Sequence, residues 1–171
     1  MLVIIIGRSG AGKTTFIEAM NCPQNHFSLS AAVEKQLVES GLPVNHDTLQ
    51  PILHKLYTAN HYWQIPAILE ALDAKKFLVI DGPRSLPEVE RLRELCPNSI
   101  IIKIEAGPSA RNERLGHRDQ TDAEAFARIE YDESCVTGLE KIMTMADVTI
   151  ENNGSLERLQ AIARKLRSLL G

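Results

Sequence analysis

Several features that would place a sequence quickly are missing from this one. No apolar run approaches the length of a membrane span, and no basic-then-apolar leader is present, so neither a spanning helix nor secretion is expected and a cytoplasmic location is. Positive charge is not in excess: 19 Lys and Arg stand against 22 Asp and Glu. There is then no global attraction to nucleic acid, and any anion site must be local. The three cysteines, Cys22, Cys96 and Cys135, are odd in number, far apart and without CxxC spacing. That excludes a disulfide framework and a zinc ribbon, and leaves them as small buried residues. The histidines form no HxxxH pair, and no repeat, low-complexity tract or long linker interrupts the chain.

What remains is ordinary globular chemistry, 44% hydrophobic and 24% charged over 171 residues. That length fits one domain, which buries roughly two thirds of the unfolded chain's surface. Short β-branched runs, LVIII (2–6), KFLVID (76–81), SIIIKIE (99–105) and DVTIE (147–151), read as buried strands, with HFSLS (26–30) a weaker fifth. Helical segments lie between them. Asp47 with Gln50, Ser85 with Glu88 and Thr121 with Glu124 have capping-box spacing, and Pro87 fits a first helical turn. Residues 155–170 set Leu156, Leu159, Ile162, Leu166 and Leu169 along one face of a closing helix. Strands alternating with helices predict a single α/β domain over 1–171, one parallel sheet with helices on both faces and ligand loops at the strands' carboxyl ends.

The apolar run at 2–6 stops at GRSGAGKT. Gly7, Gly10, Gly12, Lys13 and Thr14 fit GxxxxGK[ST], after a predicted strand and opening a predicted helix, which is the context this motif requires. The physical reason is phosphate. A loop nearly bare of side chains lets the backbone N–H groups of Ser9, Gly10, Ala11, Gly12, Lys13, Thr14 and Thr15 converge on phosphate oxygens at a positive helix end. Lys13 adds a point charge for the β and γ phosphates, and the Thr14 hydroxyl is a ligand for Mg²⁺. ATP with Mg²⁺ is the expected ligand.

Two further stretches support it. In FLVIDGPRSLPEVERL (77–92), Asp81 ends an apolar strand where such folds hold the metal, Gly82 allows a close turn, and Arg84 projects a planar cation into the same region. In GPSARNERLGHRDQTDAEAF (107–126), Arg111, Arg114 and Arg118 recur at spacings of three and four, so a helix lines them on one face beside a polar loop. Such a loop can close over phosphates and offset charge on a transferring group.

GRSGAGKTTF, VIDGPRSLPEVERLR, RNERLGHRD and MADVTIENNGSLERL, in that order and spacing, resemble the P-loop nucleoside monophosphate kinase superfamily, especially its adenylate-kinase-related and dephospho-CoA-kinase-like members. The resemblance implies a three-layer fold with a five-stranded parallel sheet in the order 2-3-1-4-5. It implies acceptor-binding helices over about 30–75 and a lid over about 111–122. Arg84 would hold the acceptor's phosphate, Arg114 and Arg118 would act with Lys13 on the transferring group, and Asn153 and Gly154 would lie beside adenine. A monomer or a homodimer fits equally.

The acceptor region is less explicit. Between Thr15 and His54 the only lysine or arginine is Lys35, a point charge where bidentate arginine is common in such kinases. Residues 26–36 contain no Asp, and their one acid is Glu34. Transfer to a hydroxyl benefits from a nearby carboxylate base, whereas a phosphate oxygen needs none. The expected acceptor is therefore a nucleoside monophosphate or similar phosphate, with a dephospho-CoA-kinase-like hydroxyl kinase or a nucleotide-binding regulatory ATPase as alternatives. His46, His54, His61, Tyr57, Tyr62 and Trp63 crowd this region, and packing, over stacking on an acceptor base, is the expected use of the rings. A DxxG switch, an NKxD guanine reader and an LSGGQ signature are all absent.

Overall fold

The run at 2–6 becomes the middle of the sheet. β1 (Leu2–Ile6) is buried along its whole length because parallel neighbours flank it and helices cover both faces. It pairs with β3 (Leu78–Asp81) on one side and β4 (Ser99–Glu105) on the other, while β2 (His26–Ser28) and β5 (Val148–Glu151) form the edges. Every pairing is parallel and the order is β2-β3-β1-β4-β5, as the resemblance implied. The computed structural model describes residues 1–83, 85–119, 121–133 and 138–171, with the side chains of His46, Arg118 and Asp119 outside the description. Among the described residues the helices are α1 (Lys13–Met20), α2 (Ala31–Glu39), α3 (His46–Ala59), α4 (Ile65–Asp73), α5 (Leu86–Leu95), α6 (Pro108–Asp119), α7 (Ala123–Tyr131), α8 (Leu139–Met143) and α9 (Leu156–Leu169).

Side chains alternate across a strand, so the sheet makes two cores. Leu2, Ile4, Ile6, Leu78 and Ile80 meet Ile68 of α4, Val89 and Leu92 of α5 and Ile142 of α8. Val3, Ile5 and Val79 meet Phe16, Ile17 and Met20 of α1 and Leu159 and Ala163 of α9. Truncating a ring as fully enclosed as Phe16 to Ala costs about 3–5 kcal/mol. A third, smaller cluster of Val33, Leu53 and Tyr57 joins α2 to α3. Cys22 and Cys96 are buried, which pushes both thiols up from their usual range; Cys135 lies outside the described residues. No described helix is long and apolar enough to cross a membrane.

Helix starts differ in detail from the expected caps. α3 begins on Asn45, whose side chain accepts from Thr48 N at 3.1 Å while Thr48 Oγ1 accepts from Asn45 N at 3.2 Å. Asp47 instead sits in the first turn, where its charge favours the helix dipole. α7 is capped by Asp122, which accepts from Ala125 N at 2.8 Å, one residue past Thr121. Ser85 does precede α5, with Pro87 in the first turn, yet its hydroxyl makes no cap bond. α9 starts on Ser155 and buries Leu159 and Ala163, whereas Leu156 and Leu169 are exposed.

Candidate phosphate and acceptor site

The loop after β1 is held open by its surroundings. Gly7 has φ 149°, and a Cβ there would lie 2.3 Å from the Ile104 carbonyl oxygen of β4, so only glycine lets the loop pass the strand. Gly12, the residue before α1, has φ 103°, and a Cβ there would strike the Asn152 amide nitrogen at 2.4 Å. That amide donates to Ala11 O at 2.8 Å. Arg114 bridges Gly10 O at 3.2 Å and Asn152 O at 2.9 Å, and Lys13 Nζ reaches back to Gly7 O at 2.7 Å and Arg8 O at 3.1 Å. Four loop carbonyls, those of Gly7, Arg8, Gly10 and Ala11, are thus tied to side chains. The Thr14 and Thr15 N–H groups of the first turn have no intrahelical acceptor and form the donor end an anion requires.

Asp81 closes β3 beside this loop, opposite Ile5 in register, and its Oδ1 lies 3.0 Å from His26 Nε2 on β2. Thr14 is exposed at the start of α1. A hydroxyl and a carboxylate are oxygen donors of the kind Mg²⁺ takes, and a donor-lined loop suits a polyphosphate, so these residues fit the expected ligand. A small space of about 40 Å³ adjoins the loop and is walled by Ser9, Lys13, Gly82 and Glu133. Arg84, the expected acceptor clamp, lies outside the described residues, as does the side chain of Arg118.

The described arginines of α6, Arg111 and Arg114, are engaged rather than splayed toward solvent. Arg111 is 2% exposed; its Nε donates to Ala106 O at 3.0 Å, its Nη2 to Glu130 Oε2 at 2.8 Å, and the ring of Phe126 lies under it at 5.5 Å. The Arg111 hydrogen bond, with the charges of Arg111 and Arg8, holds the Glu130 carboxyl below its usual value against the opposing effect of burial. Arg8 also donates to Glu140 at 2.6 Å. Glu133, 4% exposed, accepts from Ser9 N at 2.9 Å and Ser9 Oγ at 2.7 Å. The acids after α6 therefore fasten α7 and α8 to the phosphate loop. Nothing in the sequence near 130–140 has a recognisable spacing that marks them.

In the region expected to bind the acceptor, a cavity of about 700 Å³ opens between α3 and the start of α5. His54, Tyr57 and His61 line it, and His61 Nδ1 lies 2.9 Å from Ser85 Oγ, which explains why Ser85 gives no helix cap. Its charged walls are Asp47, Asp132 and Lys141. Tyr57 is packed as well as lining: its hydroxyl donates to the buried Glu88 at 3.1 Å and its ring meets Trp63 edge-on at 6.0 Å. Lys35 is not part of this wall; its side chain is 77% exposed and sits 3.8 Å from Glu39. A third cavity of about 500 Å³ lies on the far side of the loop, against Ala11, Gly107, Arg111 and Asn153. Asn153 Oδ1 accepts from Gly107 N at 2.8 Å, tying the turn after β4 to the turn before α9, and Gly154 is exposed beside it. Asn152, rather than its neighbour, braces the loop.

A glycine-rich loop between β1 and α1, a strand-end aspartate beside it and a 2-3-1-4-5 parallel sheet together define the P-loop kinase fold. Solved structures agree. The chain is similar to a shikimate kinase from Bacteroides thetaiotaomicron (TM-score 0.62, 17% identity, 99% of this chain and 98% of that one) and to a gluconokinase from Sinorhizobium meliloti (TM-score 0.55, 17% identity, 98% and 91%). By sequence it is similar to the UPF0200 protein of Thermococcus kodakarensis, 29% identical over 180 residues that span 97% of this chain and 96% of the relative. It is also similar to the UPF0200/UPF0201 protein of Archaeoglobus fulgidus, 36% identical over 181 residues that cover 99% of this chain and 54% of that longer protein. No family model matches the chain.

Proposed function

We propose that this protein is an ATP- and Mg²⁺-dependent kinase of a small molecule. The observation that carries the reading is the braced loop, whose glycines at 7 and 12 admit no side chain and whose donor end opens α1 at the carboxyl edge of the sheet. MgATP, when bound, supplies the phosphoryl group. The amides of Gly10, Gly12, Lys13, Thr14 and Thr15 and the Lys13 ammonium hold the phosphates, since the Ser9 N–H is taken by Glu133 and the Ala11 N–H by Arg8 O. Thr14 and Asp81 hold the metal, and the cavity beside Asn153 and Gly154 takes the adenine. The acceptor occupies the space against His54, Tyr57 and His61, with Arg84 its anchor. Arg118 meets the transferring group, and Arg114 shapes the loop that receives it, so that positioning and charge neutralisation lower the barrier.

The test is MgATP turnover against a panel of nucleoside monophosphates, dephospho-CoA, gluconate and shikimate. Stimulation by one compound is the expected result. A nucleoside monophosphate is the acceptor that the sequence favours. Among the described residues the cavity's charged wall is Asp47, Asp132 and Lys141, two carboxylates to one ammonium, which gives the hydroxyl alternative its own support. Tight MgATP binding with no stimulation by any acceptor would instead make the chain a nucleotide-binding regulatory protein.

A further inference from the structure

We propose that Glu133 is the general base of the transfer, and that the acceptor's attacking group is therefore a hydroxyl; this rests on the kinase reading above. The sequence shows no aspartate after β2, where such a base is sought, and Glu34 is occupied there by the Ser30 hydroxyl. The structure delivers a carboxylate from the other end of the chain. Glu133 is 4% exposed and aimed at the phosphate loop, its Oε1 held by Ser9 N at 2.9 Å and Ser9 Oγ at 2.7 Å. With Ser9, Lys13 and Gly82 it walls the small space at the loop where the terminal phosphate would end.

Its chain neighbour faces the other way. Asp132 lines the large cavity with His54 and Tyr57, so two consecutive residues wall the two spaces, one each. A phosphate acceptor brings its own negative charge and gains nothing from a base, and a buried carboxylate in its path repels it. A hydroxyl gains from that carboxylate, by about 10²- to 10⁴-fold.

In the step, the acceptor oxygen forms a bond to the γ-phosphorus while the bond from that phosphorus to the β,γ-bridging oxygen breaks, its electron pair leaving with ADP. The hydroxyl proton passes to the Glu133 carboxylate and on to solvent. ATP and an alcohol become ADP, a phosphate ester and one proton.

Glu133→Gln keeps the shape and removes the base; Glu133→Asp keeps the base and shortens it. Calorimetry with MgATP and with MgADP–fluoroaluminate, a mimic of the transferring group with its nucleophile, is combined with transfer to water and to gluconate, shikimate and dephospho-CoA. We expect Glu133→Gln to bind MgATP within about threefold of wild type, to bind the mimic at least about tenfold more weakly, and to transfer about 100-fold more slowly, with Glu133→Asp in between. Unchanged mimic binding and turnover overturn the assignment. So does MgATP binding about tenfold tighter with turnover kept, which would make Glu133 a latch that nucleotide displaces. Wild-type protein that binds MgATP but transfers to no hydroxyl overturns it too. Absence of MgATP binding by wild type defeats the kinase reading itself, a failure distinct from the other three.

Discussion

The glycine-rich loop and the cavity beside α3 are built by opposite means. The loop is one short segment whose shape is imposed from outside: Ile104 and Asn152 leave no room for a side chain at Gly7 and Gly12, and Lys13, Arg114 and Asn152 occupy its carbonyls. The cavity has no such segment. It is the space left between α3, the start of α5 and the chain after α7, held by single contacts such as His61 to Ser85 and Tyr57 to Glu88. A rigid loop suits a ligand part common to many reactions, and a loosely tied cavity suits the part that differs among them. On the proposed reading, substitutions act on folding and nucleotide binding in one region and on acceptor use in the other.

The comparison is broken most severely by removing what fastens α7 to the loop side. Arg111→Met leaves the Glu130 carboxylate without its bidentate partner, and a loss of about 3–5 kcal/mol in urea-unfolding stability is expected. Next comes Lys13→Ala, which should lower ATP turnover about 10²- to 10³-fold in a coupled assay and, because its ammonium also bonds Gly7 O and Arg8 O, lower stability without nucleotide by about 0.5–1.5 kcal/mol in the urea series. Asn152→Ala strips the Ala11 carbonyl of its buried donor and should cost about 1–3 kcal/mol, read in the same urea series, with weaker MgATP binding beside it. Ser85→Ala, on the acceptor side, removes one bond to His61 and should cost about 0.5–1.5 kcal/mol without altering MgATP affinity.

Acid sharpens the contrast from another direction. The Glu130 carboxyl is held down first by the Arg111 hydrogen bond, so it contributes stability that is present above its unfolded value near 4.5 and is lost as pH falls through its lower folded value. Asp147 adds to this: burial pushes its carboxyl up, but the Ile101 N–H and Arg93 outweigh that and leave it lowered. Urea midpoints measured from pH 7 down to pH 3 should fall most steeply below pH 4.5, and Arg111→Met should flatten part of that fall.

What the sequence disclosed follows the same division. The strands, the loop motif and the place of Asp81 at a strand end were legible because each is a local pattern, and the sheet order came from the resemblance. Asn152 was not, because its contact with Ala11 joins residues 141 apart and its own neighbourhood pointed to Asn153. Arg111 and Arg114 were read as one open basic face from their spacing, whereas the structure seats the first on Glu130 and the second on main-chain carbonyls. The cap of α3 was misplaced because Asn45 and Asp47 both have capping chemistry, and only the chain's path selects Asn45. Lys35 lost its expected place for a similar reason, pointing outward toward Glu39. The cavity's lining comes from segments distant in sequence, and no spacing rule anticipates that.

The central claim is that the loop from Gly7 to Thr15 grips polyphosphate through main-chain amides and one ammonium group. Calorimetric titration of MgATP into wild-type and Lys13→Ala protein measures it directly. Saturable heat with one site per chain, lost or greatly weakened in the variant, is the predicted result; no heat in wild type, or equal affinity in both, would contradict it.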